Sequence, residues 1–436
     1  MKAKYTALIP FGVFLTTFIL LNIIYHEGSI CKDNFPIFSA FIAIITAFFT
    51  FRKNESLNEK VEIFLQGCTQ NIIIHMCYIF YISTVFTAIL ETTGSITSVV
   101  NISLLLVPTW CITPGLFIVS SLFSLIVGTS MGAIAAFMPI AVSLAEHLAI
   151  NPSLIAATIV CGAMFGDNLS MLSDTTISAV KITNSSMQEK LWLNIKIAAP
   201  AFLASLIVLM YQNYTITNTC ATITHLGINY IDAIKVIPYV ITFALALTGL
   251  DILIVLVIGS WLAMAIGLLM KNLTLLQAIN IVFDGFYASK GMVNVFILVL
   301  LLAGLSKIIT HNGGIDYVIE KLKHTIADPI QAKLAILFLV SAINMTIAIN
   351  TIAILITGPI ANKISDDCNI EPAQTACILD IGSCLSQGLL PYAPQLLLAA
   401  CMAKVSAVSL LPYLYYQYFL AISLLFNILL TKNRKK

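Results

Sequence analysis

The sequence predicts an all-α polytopic membrane protein of about ten spans. It predicts an inverted repeat of two five-span units, each with a re-entrant hairpin and a broken helix. Three observations point there. Hydrophobic residues make up 59% of the 436 residues, charged residues only 10%, and mean hydropathy is +0.98. A soluble domain carries about 25% charged residues, so this chain cannot cover itself with polar surface in water. Apolar runs recur at about the 20-residue length that crosses a bilayer. The pattern of the first half also returns in the second at an offset close to 220.

Taken in order, the spans fall at 6–25, 35–51, 71–91, 153–182, 191–211, 234–250, 252–270, 289–309, 373–403 and 408–430. The first begins "MKAKYTALIPFGVFLTTFILLNIIY". Its apolar run is longer than a signal-peptide core and no A-x-A site follows, so it is read as a span. Two further stretches, 113–147 and 333–361, carry small or polar residues at their centres ("VGTSMGA", "AINTIA"). Each reads as two half-length helices meeting at a turn. Irregular backbone at membrane depth is tolerated only where protein or a water-filled cavity lines it.

The repeat shows in several matches. "RKNESLNEKVEIFLQG" (52–67) resembles "MKNLTLLQAINIVFDG" (270–285), and "TGSITSVV" (93–100) resembles "NGGIDYVI" (312–319). "GTSMGAIAAFMPIA" (128–141) aligns with "AINTIAILITGPIA" (348–361) at 220, placing Pro139 on Pro359; Gly162 then meets Gly382. The boundaries are repeat one at 1–211, an external linker at 212–233 and repeat two at 234–436. Five spans is an odd number, so the second copy enters from the opposite side, as in many secondary transporters. Lys32, Lys235, Lys271, Lys290 and Lys404 fall outside, and the other Lys and Arg of the 22 fall inside or near inner ends. By the positive-inside rule both termini are expected in the cytoplasm, and the expected location is the cell (inner) membrane. Segments 95–106 and 315–326 read as interfacial helices or loops.

A net charge of +2 without a basic patch gives no reason to expect nucleic acid. The ten cysteines form no C-x-x-C pair and sit mostly in apolar runs, as Cys77 and Cys161 do, which reads as membrane-core packing.

The chemistry concentrates in "FGDNLSMLSDTT", residues 165–176. A charged aspartate at a helix centre costs about 2.5–3.5 kcal/mol. Asp167 and Asp174 together imply compensation, and no arginine lies nearby in sequence. A bound cation or a proton would supply it. If the helix runs through, Asp167, Ser170 and Asp174 share one face; if Gly166 and the hydroxyl residues break it, backbone carbonyls are freed instead. Either way the stretch offers the oxygen ligands hard cations prefer. Such a carboxylate holds Na+ or H+ but not both, which is the minimal physics of an exchanger.

"GTSMG" followed some thirty residues later by "GAMFGDNLSMLSDTT" resembles the NhaC family of Na+/H+ antiporters, within the ion transporter superfamily. The resemblance implies cation-coupled antiport, no cofactor beyond transported Na+ and H+, and a site between hairpin tips and broken helices that moves as a unit in a homodimer. It carries over Gly128, Thr129 and Ser130 at the first tip, and Asp167, Ser170, Ser173, Asp174, Thr175 and Thr176 in the broken span; Asn168 joins them as a candidate, and the two aspartates are the expected Na+ ligands. In the second half it implies Asp380, Gly382 and Ser383. Met171 stands where the family has proline, and "PYAPQ" (391–395) where Pro-Trp-Asn is common. Relatives that exchange organic acids make a small carboxylate or amino acid the alternative substrate.

Asn350 and Thr351 at the second tip are either ligands or helix caps, and Gln387 aligns with Asp167, opposing an amide to a carboxylate. His75 is either a proton relay or a satisfied intramembrane histidine; Glu91, Lys181, Asp251 and Lys404 read as interfacial, and Asp284 and Lys290 as a local pair. An aspartyl hydrolase is not expected: its carboxyls lie about 3 Å apart, whereas seven helical residues rise about 10 Å. The partners expected are therefore the lipid bilayer, small cations and a small carboxylate.

Overall fold

The structure is a computed structural model. It describes residues 5–24, 34–50, 55–99, 111–217, 230–246, 248, 250–288, 290–315, 317 and 328–430. Those residues are helical, with turns between. In repeat one the helices are α1 (Ile9–Ile24), α2 (Phe35–Thr50), α3 (Leu57–Cys68), α4 (Asn71–Thr93), α5 (Ile112–Val127), α6 (Ser130–His147), α7 (Pro152–Leu169), α8 (Asp174–Thr183) and α9 (Met187–Thr217). Repeat two holds α10 (Tyr230–Ala246), α11 (Ile252–Leu269), α12 (Leu275–Ala288), α13 (Lys290–His311), α14 (Pro329–Ile347), α15 (Asn350–Asp367), α16 (Pro372–Leu389) and α17 (Pro394–Met402). A short bent segment then leads to α18 (Tyr415–Leu430).

Over the described residues the predicted spans are helical, with 153–182 and 373–403 each divided into two helices. Among the described residues, α4, α6, the α7–α8 pair, α9, α11, α13 and α14 are long and apolar enough to cross a membrane, and α16–α17 joins them if its bend into residues 407–413 is counted as one span. The exposed hydrophobics, Phe49, Trp261 and Leu269 among them, give these helices the apolar outside that a bilayer covers.

Three differences from expectation have physical causes. The hairpin arms are not half-length: α5 and α6 have 16 and 18 residues, α14 and α15 have 19 and 18. At 1.5 Å per residue each arm extends about 24–28 Å. Their apolar composition continues past the polar centre, so the helix does too. Second, 57–68 and 275–288, recognised only as matching segments, are helices. Ser56 and Glu59 form a capping box at the start of α3, with Ser56 N–H donating to Glu59 Oε2 at 2.7 Å and Glu59 N–H to Ser56 Oγ at 3.2 Å. The Ser56 backbone N–H, with its hydroxyl second, holds the exposed Glu59 carboxyl below its ordinary range. Third, the last span begins at Tyr415 rather than 408, because the chain from 407 to 413 is a short helix and a 3-10 turn containing Pro412, and the next helix starts only after Leu414. Most of segments 95–106 and 315–326, much of the linker, and the side chains of Asp284 and Lys290 lie outside the described residues.

The elements recur at an offset of 220: α6 on α15, α7 on α16. So do left-handed residues, in the pairs Gly128 (φ 77°) and Ala348 (57°), Ala149 and Asn369 (both 51°), Asn184 (50°) and Lys404 (54°). Contacts follow the same rule. The Gly162 backbone is approached by Phe117 and Ser120, and that of Gly382 by Leu337 and Val340, each partner 220 residues on. A side chain at each of these glycines would clash, which is why both positions lack one.

Helices α1–α4 pack with α10–α13, and α5–α9 with α14–α18. The two groups meet where α13 touches α17 and α4 touches α6. Helix α7 is almost wholly enclosed, buried from Ser153 to Met164 and from Gly166 to Asn168.

Candidate functional site

Both hairpins end in the same backbone device. A helix stops on a left-handed residue, Gly128 or Ala348, one extended residue follows, and the next helix begins. The turn aims the N-terminus of α6 or α15, with its unpaired N–H groups, at the broken helix of its own repeat. The first tip packs so closely on the break that a Cβ at Gly128 would lie 2.7 Å from Leu172 Cβ. The break itself is 170–173: α7 ends at Leu169, Ser170 is extended, and α8 starts at Asp174. Of the two conformations open to the sequence, the broken one occurs.

Breaking the helix removes the register that would have put the two aspartates on one face. Asp167 is 4% exposed and accepts a bond from Ser130 Oγ at 3.3 Å. Asp174 is exposed, in the first turn of α8, where a carboxylate suits the helix dipole. The structure therefore brings Asp167 to the first tip and leaves Asp174 outside the buried cluster.

From Asp167 a hydrogen-bonded chain runs to the second tip. Gln395 Nε2, at the start of α17, donates to Ser130 Oγ at 3.5 Å. Gln387 Nε2 donates to Gln395 Oε1 at 3.0 Å and to the Ala348 carbonyl at 2.8 Å. Gln387 thus reaches both its own tip and, through Gln395, the other. On the opposite side Asn350 Nδ2 approaches Cys384 Sγ at 3.7 Å, and that thiol lies 4.0 Å from Thr175 Oγ1. Thr175 also bonds Ser173 at 2.9 Å. Thr351 donates its backbone N–H to Asn350 Oδ1 at 3.0 Å and makes no other contact here. Asn344 Nδ2 holds the Ser383 carbonyl and Ser386 Oγ, both at 2.9 Å, as Ser124 Oγ holds the Ala163 carbonyl at 2.6 Å in repeat one.

Asp380 and Thr176 belong to a second buried group. Asp380 Oδ2 accepts from Lys190 Nζ at 2.5 Å and from Asn194 Nδ2 at 2.8 Å; Lys190 also reaches Thr176 Oγ1 at 2.6 Å. Lys190 and Asp380 are both fully buried. Removing one member of such a pair costs about 3–5 kcal/mol, since the other is left charged and alone. Asn194 Nδ2 also donates to the Asn168 carbonyl at 2.7 Å, and Asn168 Nδ2 to Tyr416 OH at 2.9 Å.

The sequence reading missed Lys190, Asn194, Gln395, Asn344 and Tyr416. Lys190 looked like the charged start of an ordinary span, and its partner lies 190 residues away. The signal was a lysine directly before the span predicted at 191–211, where Leu191 and Trp192 begin the apolar run. His75 forms an exposed pair with Asp251 at 3.2 Å, away from this site.

The donor set suits a small hard cation rather than a transition metal. Among the described residues no three His, Cys, Asp or Glu side chains gather. Instead, the Asp167 carboxylate stands beside the hydroxyls of Ser130 and Ser173, and elsewhere in the buried network the amide oxygens of Asn168, Asn194, Asn344 and Gln387 have no hydrogen-bond donor. Oxygens left without hydrogen are free to face a cation.

A multi-pass helical bundle with paired hairpins, paired broken helices and a buried carboxylate defines a membrane transporter. The chain belongs to the Na+/H+ antiporter family, which matches residues 1–214 and again 198–431. It is 20% identical over 335 residues to the malate-2H+/Na+-lactate antiporter of Bacillus subtilis, covering 70% of each chain. It is 28% identical over 196 residues to an uncharacterised Na+/H+ antiporter of Haemophilus influenzae, covering 41% of each. Over 98% of both chains it aligns with the crystal structure of the Alcanivorax borkumensis YdaH transporter, at 12% identity and a TM-score of 0.43. The Bacillus and Haemophilus relatives are named as cation antiporters, and this chain is a cation antiporter of the same family.

Proposed function

We propose that the chain exchanges Na+ for H+ at Asp167, whose carboxylate binds the two in turn. One observation carries this reading: of the two buried aspartates among the described residues, Asp380 has Lys190 beside it, while Asp167 is bonded by the hydroxyls of Ser130 and Ser173 and the charges near it, Asp380 and Asp174, are negative. A buried carboxylate without a fixed counter-charge is unstable unless something positive occupies it. Na+ would be held by Asp167 and Ser130, with the second tip joined through Gln395 and Gln387. A proton on Asp167 removes the charge and with it the reason for Na+ to stay. Asp174 stands at the mouth, where hydrated cations arrive. The two halves, related by the 220-residue offset, are inverted with respect to the membrane, so that the site opens to either side by movement of α5–α9 with α14–α18 against the remaining helices.

The test is Na+-driven H+ movement in proteoliposomes of the purified chain. Asp167→Asn abolishes it while Asp174→Asn retains a measurable fraction. Full activity in Asp167→Asn would sink the reading.

A second reading, Na+-coupled exchange of a small carboxylate, is favoured by the meeting of the α6 and α17 N-termini at Ser130 and Gln395, whose dipole ends suit an anion, and by the named activity of the Bacillus relative. Uptake of labelled lactate and malate decides it. Na+/H+ exchange that no such acid alters would discard it.

A further inference from the structure

The buried charge of this protein can be counted. Among the described residues the buried charged side chains are Asp167, Lys190, Lys333 and Asp380. Lys333 lies in the first turns of α14, with Glu371, at the start of α16, as its counter-charge. Lys190 and Asp380 neutralise each other at 2.5 Å. The groups bonded to this pair are neutral: Thr176 from α8, Asn194 from α9 and Cys384 from α16. Asp167 is bonded by the Ser130 and Ser173 hydroxyls, and the charges that act on it are the paired Asp380 and Asp174. Asp174 is exposed and Ser130 is a hydroxyl. The cluster between the hairpins therefore holds a single uncompensated negative charge.

We infer that Lys190 and Asp380 form a fixed internal ion pair that limits the exchanged charge to one, so that one Na+ is exchanged for one H+ and the cycle is electroneutral. The inference rests on the reading of Asp167 as the exchanging carboxylate. With either ion aboard, Asp167 is neutralised and the buried cluster carries no net charge, so its passage does no work against the membrane potential. Lys190 is bonded to α8 and α16 at once, through Thr176 and Asp380. The pair is thus carried with both broken helices and is never exchanged.

The charge count makes opposite predictions for the two single substitutions. In Asp380→Asn the buried ammonium of Lys190 loses its counter-charge and offsets the charge of Asp167 in place of Na+, so apparent Na+ affinity falls by about tenfold or more. In Lys190→Met two carboxylates stand uncompensated, a second positive charge is taken up, and exchange becomes sensitive to potential. The double variant Lys190→Met with Asp380→Asn restores one lone carboxylate. It regains Na+ affinity within about threefold of the parent and electroneutral exchange, a rescue expected of compensated charge and not of a structural role.

The experiment uses the full chain in proteoliposomes, with potential clamped by K+ and valinomycin and Na+ and H+ fluxes measured together. The expected result is one H+ per Na+, at a rate that does not change when a potential of about 100 mV is imposed. Net Na+ uptake driven by potential without a pH gradient, or two H+ per Na+, would overturn the inference. A double variant no better than its parents would overturn it as well. The wild-type flux ratio decides the matter even where a single variant fails to accumulate. If Asp167→Asn is inactive and the wild type is electrogenic, only this inference falls; if Asp167→Asn remains active, the functional reading falls first.

Discussion

Gln395 donates its side-chain amide to Ser130 across 265 residues of chain, and this contact joins the second half of one broken helix to the hairpin tip of the other repeat. By the 220-residue offset Gln395 stands where Thr175 stands in repeat one, and Ser130 where Asn350 stands in repeat two. Thr175 and Asn350 meet as well, on opposite sides of the Cys384 thiol. Each half of the site is thus built from a tip of one repeat and a half-helix of the other.

Gln395→Ala breaks the chain at its centre, removing the donor to Ser130 and the acceptor of Gln387. The loss of two neutral hydrogen bonds, about 0.5–1.5 kcal/mol each, raises the apparent KM for Na+ by roughly threefold or more, with folding intact. Na+ titration of H+ flux in proteoliposomes measures it. An unchanged KM would remove Gln395 from the site.

Asn344→Ala and Ser124→Ala test the repeat as physics rather than pattern. Each side chain ties a hairpin arm to a backbone carbonyl of the broken helix, at Ser383 and Ala163. Each carbonyl also accepts within its own helix, so the penalty is moderate: about 1–3 kcal/mol, visible as a lower melting temperature in detergent. Asn344→Ala is the more severe, since it also releases Ser386. Equal, negligible shifts would show these bonds to be incidental.

Much of the architecture was legible beforehand because bilayer thickness and backbone hydrogen bonding leave few choices for an apolar run. The spans, the hairpin turns at 128–129 and 348–349, and the helix break before Asp174 all have local causes: glycines, small residues and clustered hydroxyls. The pairing of Lys190 with Asp380 has no local cause. It exists because α9 crosses α16, and neither sequence neighbourhood mentions the other. Asp174 misled for the complementary reason. Its spacing from Asp167 implies a shared face only on an unbroken helix, and four non-helical residues cancel that geometry. Helices α3 and α12 were overlooked as helices because their charged and polar residues interrupt the apolar signal. They pack on spans of the opposite repeat, α13 and α4, and only that packing explains them.

Gly166→Ala follows from the closest helix contact next to the site. A Cβ there would lie 2.2 Å from the Ser121 carbonyl oxygen and 2.6 Å from the Leu125 nitrogen. Both are backbone atoms within α5, so no rotamer change relieves the clash and the two helices must separate. Such overpacking costs about 1–3 kcal/mol, and because Asp167 is the next residue the displacement carries into the Ser130 bond. The expected outcome is a lower melting temperature together with a raised Na+ KM. Parent-like values of both would mean that α5 and α7 are not in this contact.

Competition at one carboxylate fixes how exchange responds to pH. Protonated Asp167 cannot hold Na+, so each fall in pH through its titration range removes sites available to Na+. The apparent Na+ KM then rises by up to about tenfold per pH unit, while the maximal rate at saturating Na+ is little changed. At higher pH the carboxylate is charged throughout and KM levels off. Ser130 stabilises the charged form by donating to Oδ2, so Ser130→Ala favours the protonated form and shifts the whole KM profile toward higher pH. Initial rates of Na+-driven H+ flux across a pH series, at several Na+ concentrations, measure both effects. A maximal rate that falls with pH while KM stays constant would place the proton and Na+ on different groups, and Asp167 would lose its double role.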